Sequence, residues 1–228
     1  MNSLEYFLKD IDISVFAKSS QVKAKTFLEI LDVNHSPSLG NTYLVIGKNI
    51  VGYGLQQLGY DVTIADGLSG DLTLADAIAT GKTWDYVIAP DEYFVYAANE
   101  QQQIEEINRL CNLARLGLYT TLKDYRNMHA SQRFFEEPFE VKQDSGNSIV
   151  IKKRDWDRED KQKWIKREYI IANEDLIVCD SAECRTVYFK QLAKFSTDAG
   201  AKKFQVEKKQ MYKALFSKTY EYIVYISF

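Results

Sequence analysis

Residues 41–66 read NTYLVIGKNIVGYGLQQLGYDVTIAD, and the folding of this stretch decides the architecture. Thr42 to Ile46 is a short apolar run with β-branched residues, stopped by Gly47, as a buried strand requires. Asn49 can cap the next segment, where Ile50, Val51, Leu55 and Leu58 recur at helical spacing until Gly59 ends the helix. Asp61 to Ala65 is the second apolar run. Two strands joined by one helix predict a right-handed parallel crossover, the unit of a doubly wound α/β sheet. At the first turn of such a sheet, backbone N–H groups and a helix N-terminus converge, and nucleotide-like ligands bind there. Asp66, at the tip of the second strand, stands where a ribose-binding carboxylate belongs.

Upstream, residues 1–40 read as an N-terminal helical segment. Leu4, Phe7 and Leu8 form one apolar face, Ile13, Phe16 and Ala17 begin another, and Phe27, Leu28, Ile30 and Leu31 follow a polar stretch. This segment is either a lid packed across the sheet edge or a cap over a substrate. Downstream, Gly67 and Gly70 tighten the connection, residues 72–74 suit a very short strand and residues 76–79 a short helix. The run WDYVIA, Trp84 to Ala89, is a strand that Pro90 stops. Asp91 and Glu92 then follow at its carboxyl end, the ligand side of open α/β sheets. Residues 100–116 carry the clearest helical pattern, with Ile104, Ile107, Leu110, Cys111 and Ala114 on one face. Gly117 is expected to end that helix and residues 118–122 to form the next strand.

From Lys123 the texture changes. Arg126, Asn127, His129 and Arg133 predict a polar loop or helix above the same rim. Ser145-Gly146-Asn147 lies between Phe139 and Val141 on one side and Ile149, Val150 and Ile151 on the other, a hairpin signature. Residues 164–171 and 176–179 flank Asn173-Glu174-Asp175 as a second hairpin, which places a hairpin insertion at about 130–182 inside a domain spanning 41–228. Residues 186–198 read as a helix ended by Gly200, and residues 202–206 and 220–226 as two closing strands with a basic, aromatic connector. The predicted fold is α/β: a Rossmann-like, doubly wound, mostly parallel sheet with helices on both faces and a C-terminal antiparallel strand pair.

The 228 residues suit one domain of generous size, and 46% hydrophobic with 27% charged residues suits a globular chain with a real core. A formal charge of −3 gives no electrostatic case for a nucleic-acid or membrane partner. Cys111, Cys179 and Cys184 form no paired framework and, with two histidines, no zinc-ligand spacing, so free thiols and no metal are expected. No basic, apolar leader opens the chain and no apolar run approaches about 18 residues, so a cytoplasmic protein is the expectation.

Several phrases carry a family likeness. Leu44 to Gly47 begins a glycine loop after the first strand, and Leu58-Gly59-Tyr60-Asp61-Val62-Thr63 leads to the acidic Asp66. Gly70-Asp71-Leu72 pairs a carboxylate with an apolar residue, and Trp84 to Ala89 runs into Pro90-Asp91. A helix ending Asp198-Ala199-Gly200-Ala201 precedes a strand and a final aromatic strand. In this order the chain resembles class I S-adenosylmethionine-dependent methyltransferases over most of residues 41–122 and 186–228. The resemblance implies S-adenosylmethionine as cofactor, held by Gly47, Asp66 at the ribose, Asp71 and Leu72 at the adenine, and Asp91. The chain departs from the family at the loop. Lys48 and Asn49 stand where further glycines are normal, Gly52 and Gly54 fall within the helix, and the interval from Asp66 to Asp71 is short. Shortened variants with such insertions resemble those of large bacteriophages, which implies a viral source and a host cytoplasm.

Methyl transfer asks the protein to hold donor and acceptor in line and, for O or N acceptors, to take a proton. Asp91 and His129 are the candidate catalytic groups; their plain alternatives are a cap for the next segment and a solvated loop histidine. Trp156, Trp164, Tyr169 and Tyr188 line an aromatic acceptor pocket or fill a second layer of core. Lys152-Lys153-Arg154 is a nucleic-acid contact or, against the negative net charge, a solvated face. Two functions are open: methyl transfer to a small-molecule or protein acceptor, or a non-catalytic partner-binding protein that keeps the sheet.

Overall fold

The computed structural model describes residues 40–47, 50–65, 73–90, 92–125, 133–135, 138–143, 146–172, 175–213 and 218–228, together with Lys25 and Glu29. The predicted N-terminal segment therefore lies outside the described residues, apart from the helical Lys25 and Glu29 and the turn residue Gly40. Strand β1 is Thr42–Ile46, helix α1 Ile50–Gln57 and strand β2 Asp61–Ala65, and β1 and β2 pair in parallel over all five residues. Thr73 caps helix α2, Leu74–Ala79, with its side chain accepting from Asp76 N–H. This is a correction to the very short strand expected at 72–74, because the Thr73–Asp76 capping box starts a helix there. Strand β3, Trp84–Ala89, pairs in parallel with β1.

Helix α3 covers Glu100–Leu113, and strand β4 begins at once, Ala114–Lys123, parallel to β3. Gly117 therefore does not end a helix, as the sequence pattern suggested, but lies inside a strand. Its missing side chain leaves room for the ring of Tyr225. Helix α4, Phe189–Asp198, leads through Gly200 in the left-handed region to strands β10, Lys203–Lys213, and β11, Lys218–Ser227. These closing strands take in most of the residues expected to be a connector, and they pair antiparallel down to Lys213 and Lys218. The six strands lie in the order β10-β11-β4-β3-β1-β2, with β11 antiparallel to β4. The mostly parallel sheet with a closing antiparallel pair is as the sequence predicts.

Both faces of this sheet carry helices. On one, Ile107, Leu110 and Cys111 of α3 and Leu192 and Phe195 of α4 pack on Leu44, Val87 and Leu118. On the other, Val51 and Leu55 of α1 pack on Val45, Tyr86 and Ile88. Gly52 sets how close α1 comes: a Cβ there would lie 2.9 Å from Ile64 Cγ1 and 3.3 Å from Val45 Cβ. Buried tyrosines cross that face from strand to strand. Tyr43 stacks on Tyr86 at 5.6 Å, Tyr86 meets Tyr119 at 6.1 Å, and Tyr119 stacks on Tyr225 at 4.6 Å.

A second, antiparallel sheet stands between β4 and α4 in the chain. Its strands are β5, Arg133–Phe135; β6, Phe139–Gln143; β7, Gly146–Trp156; β8, Lys163–Ala172; and β9, Asp175–Arg185. The order is β5-β7-β8-β9, with β6 also on β7. Gly146 pairs with Gln143 and Asn147 with Lys142, so these two residues of the Ser-Gly-Asn signature lie in β7. Among the described residues no helix is long and apolar enough to cross a membrane.

The fit of Gly117 against Tyr225 is directly testable. Gly117→Ala would place a Cβ within the Tyr225 ring and is expected to cost about 1–3 kcal/mol in urea unfolding, as overpacking does. In a Tyr225→Ala background the same change should cost less than about 1 kcal/mol, since the two sites are in direct contact.

Candidate functional site

The carboxyl ends of β1, β2, β3 and β4 form one rim, because the four strands run parallel. At the end of β1, Gly47 turns with φ of +81°, a conformation that suits glycine, and its N–H donates to Ala65 O at the end of β2 at 3.0 Å. Among the described residues no heavy atom lies within 4 Å of where a Gly47 Cβ would project, so they leave the space over this turn open. The other sequence-predicted site residues, Asp66, Asp71, Leu72, Asp91 and His129, lie outside the described residues, as do Lys48 and Asn49.

The rim's strongest polar feature is Glu92, which the sequence places at a strand end beside Asp91 without showing its role. Glu92, just past β3, is buried at 5% exposure and adopts φ of 60° and ψ of 36°, the left-handed region, although it is not glycine. Such a conformation costs a non-glycine residue about 1–2 kcal/mol and persists where surroundings impose it. Here they do. Glu92 N–H donates to Thr121 Oγ1 of β4 at 3.0 Å. Its carboxylate accepts from Lys123 Nζ at 2.7 Å, from the Tyr125 hydroxyl, and from both terminal nitrogens of Arg154 at 3.1 and 2.7 Å. Burial, with the Glu92 charge adding to it, raises the Tyr125 phenol well above its ordinary range, so it stays protonated and donates.

Arg154 comes from β7 of the second sheet and is 2% exposed. Its guanidinium sits 4.7 Å from the Trp164 ring centroid, and Trp164 stacks on Trp156 at 5.7 Å. Val95, Tyr125, Phe134 and Cys184 complete this small core, with Tyr188 partly buried against it. The aromatic cluster foreseen in the sequence therefore exists as core between the sheet and the rim, although Tyr169 is not part of it. Burial pushes the Cys184 thiol up to about 12, which makes it a poor nucleophile.

After Glu92 the chain makes a short 3-10 helix, Tyr93–Tyr96. Gln103 of α3 ties this turn to the end of β9, donating to Arg185 O at 2.9 Å and to Phe94 O at 3.4 Å. Tyr96 ends the turn, 44% exposed, and its hydroxyl accepts from Lys166 Nζ of β8 at 2.8 Å. Lys166 also bridges to Glu168 at 2.9 Å. The Lys152-Lys153-Arg154 run is not a free basic face, since Lys152 pairs with Glu168, Lys153 with Asp155 and Arg154 with Glu92. Among the described residues no His, Cys, Asp and Glu side chains gather as a metal site would need. The missed residues did leave a sequence signal. Ser148, Val150, Arg154 and Trp156 fall on alternate positions of one strand, and Lys123 ends an apolar one with Tyr125 two residues beyond.

No family model and no curated protein matches the sequence. Solved structures match the fold. The CcbJ methyltransferase of Streptomyces caelestis superposes with a TM-score of 0.60 at 12% identity, over 96% of this chain and 97% of that one. An S-adenosylmethionine-dependent methyltransferase of Clostridium acetobutylicum does so with a TM-score of 0.58 at 9% identity, over 96% and 93%. CalS10 of Micromonospora echinaspora, an amino pentose methyltransferase solved with S-adenosylmethionine bound, gives 0.54 at 8% identity, over 96% and 98%. The likeness is one of fold, and the fold is that of class I methyltransferases. At 96% of the chain it takes in the second sheet as well as the parallel one.

The Glu92–Arg154 pair makes a stability prediction. Arg154→Met removes both guanidinium bonds from the Glu92 carboxylate, leaving it Lys123 and Tyr125, and should cost about 1.5–3 kcal/mol in urea unfolding. Lys153→Met breaks a pair nearer the surface and should cost less than about 1 kcal/mol. Equal costs would place the stabilisation elsewhere.

Proposed function

We propose that this chain is an S-adenosylmethionine-dependent methyltransferase acting on a small molecule. The carrying observation is the rim itself. Three parallel strands end together, Gly47 is bonded across to Ala65, and the described residues leave the space over Gly47 open. That open turn fits a nucleoside ligand, which needs backbone without a Cβ in the way. The fit differs from a glycine-rich loop in one respect: the Gly47 N–H is already used by Ala65, so it is not a donor to the ligand. Asp66 follows Ala65 directly in sequence and is assigned to the ribose. Asp71 and Leu72 are assigned to the adenine and Asp91 to the donor or acceptor side.

When bound, the cofactor supplies a methyl group activated on a sulfonium. The chain's own part is positioning, and the docked second sheet closes one side of the rim on which acceptor and donor meet. A small-molecule acceptor agrees with CalS10, the amino pentose methyltransferase among the fold neighbours. The buried free thiols Cys111 and Cys184 agree with a reducing, cytoplasmic setting. The partner-binding alternative draws no support, because these three fold neighbours are all methyltransferases.

Calorimetric titration with S-adenosylmethionine and S-adenosylhomocysteine tests the reading. Micromolar binding is expected, with Asp66→Ala weakening it at least tenfold while the melting temperature holds. No heat at millimolar ligand would overturn it. A loss of melting temperature without loss of affinity would make Asp66 structural.

A further inference from the structure

The inner face of the second sheet carries more hydrogen-bond donors than acceptors among the described residues. Arg154 and Lys166 are opposite each other on β7 and β8, and Trp156 and Trp164 are opposite each other two residues along, on the same face. Arg154 is engaged by Glu92. Trp156 and Trp164 are buried at 6% and 2% exposure, and neither indole N–H has an acceptor among the described residues. An indole N–H only donates, and burying it without a partner costs about 1–3 kcal/mol. Lys166 brings three donors, of which Tyr96 and Glu168 take one each. Because Tyr96 accepts from Lys166, its own O–H proton is directed elsewhere, and no described residue accepts it.

The charge states follow from the surroundings. Burial works against the Lys166 ammonium, but Tyr96 and Glu168 more than offset it and hold it above its ordinary range. Burial raises the Tyr96 phenol, against the opposing pull of Lys166. At neutral pH the pair is therefore an ammonium behind a protonated phenol, a donor array and not a base. Tyr96 lies four residues from Glu92, at the end of the 3-10 turn, and is 44% exposed. Donors in surplus call for a ligand made of acceptors, and Lys166 behind Tyr96, although Glu168 shares it, makes a negative one the better match. An exposed aromatic ring next to them offers a flat surface for stacking.

We propose that Tyr96 and Lys166 form the handle for the acceptor, binding the carboxylate of a small aromatic acid at the junction of the 3-10 turn and β8. Its role as acceptor side rests on the methyltransferase reading; the carboxylate site itself stands on these residues. The carboxylate is the group gripped, and the O–H of Tyr96 donates to it. Lys166 supplies charge behind that bond.

Benzoate and its neutral isostere benzamide are the probes, titrated against the full chain by calorimetry and tryptophan fluorescence, with and without S-adenosylhomocysteine. Saturable benzoate binding is expected, with benzamide at least tenfold weaker. Tyr96→Phe keeps the ring and removes the donor, so it should weaken benzoate about tenfold, as loss of a bond to a charged group does. S-adenosylhomocysteine affinity should not move. Lys166→Met should weaken benzoate by at least as much. The site is overturned if benzoate does not saturate, if benzamide binds as well, or if Tyr96→Phe binds benzoate as the parent does. Benzoate binding in a chain that ignores S-adenosylhomocysteine would support the carboxylate site and overturn methyl transfer.

Discussion

One buried carboxylate bonds to side chains from both sheets. Glu92 receives side-chain hydrogen bonds from Lys123 and Tyr125 on the parallel sheet's side and from both arms of Arg154 on the other. A planar guanidinium meeting a carboxylate with two bonds fixes angle as well as distance, so the pair sets how β7 approaches the rim. Around it, Trp156, Trp164, Phe134 and Val95 exclude water, and the low dielectric strengthens the charge pairing while making an unpaired partner costly. The left-handed backbone of Glu92 belongs to the same arrangement. Thr121 holds its N–H, and the side chain then points into the cations.

The parallel core was legible because each of its elements is a local pattern. Thr42–Ile46, Asp61–Ala65 and Trp84–Ala89 are short apolar runs between turn residues, and the structure places strands on those same residues. The boundary between α3 and β4 was not legible. Gly117 reads as a helix stop in any local view, yet its reason is Tyr225, which lies on a strand more than a hundred residues later. The same limit hid the length of β10 and β11, since Lys208, Lys209 and Lys213 look like a polar connector until an antiparallel partner satisfies their backbone.

The site divides along the same line. Gly47 could be found from the end of a strand, and the aromatic cluster from composition, because both are properties of one stretch. The Glu92 network could not, since its members lie 31, 33 and 62 residues from Glu92 along the chain. Asp91 and Glu92 are adjacent carboxylates at a strand end, and sequence offers no basis for choosing between them. Arg154 sits in a run of three basic residues that looks solvated. Only the period of two along β7 separates it, by placing it on the face of Trp156 and Val150.

The departure at the glycine loop and the buried network bear on one another. A loop with one glycine, whose N–H is already bonded to Ala65, offers a nucleoside fewer backbone donors than a glycine-rich turn. More of the positioning must then come from side chains and from rigidity around the rim. The second sheet supplies rigidity at that place. Its anchor Glu92 is the cap of the 3-10 turn that Tyr96 ends. A shift at the anchor is therefore transmitted to Tyr96 through four residues whose backbone is held by Gln103 and Val95. The group that fastens the sheet thus also fixes where a ligand at Tyr96 stands relative to the strand ends.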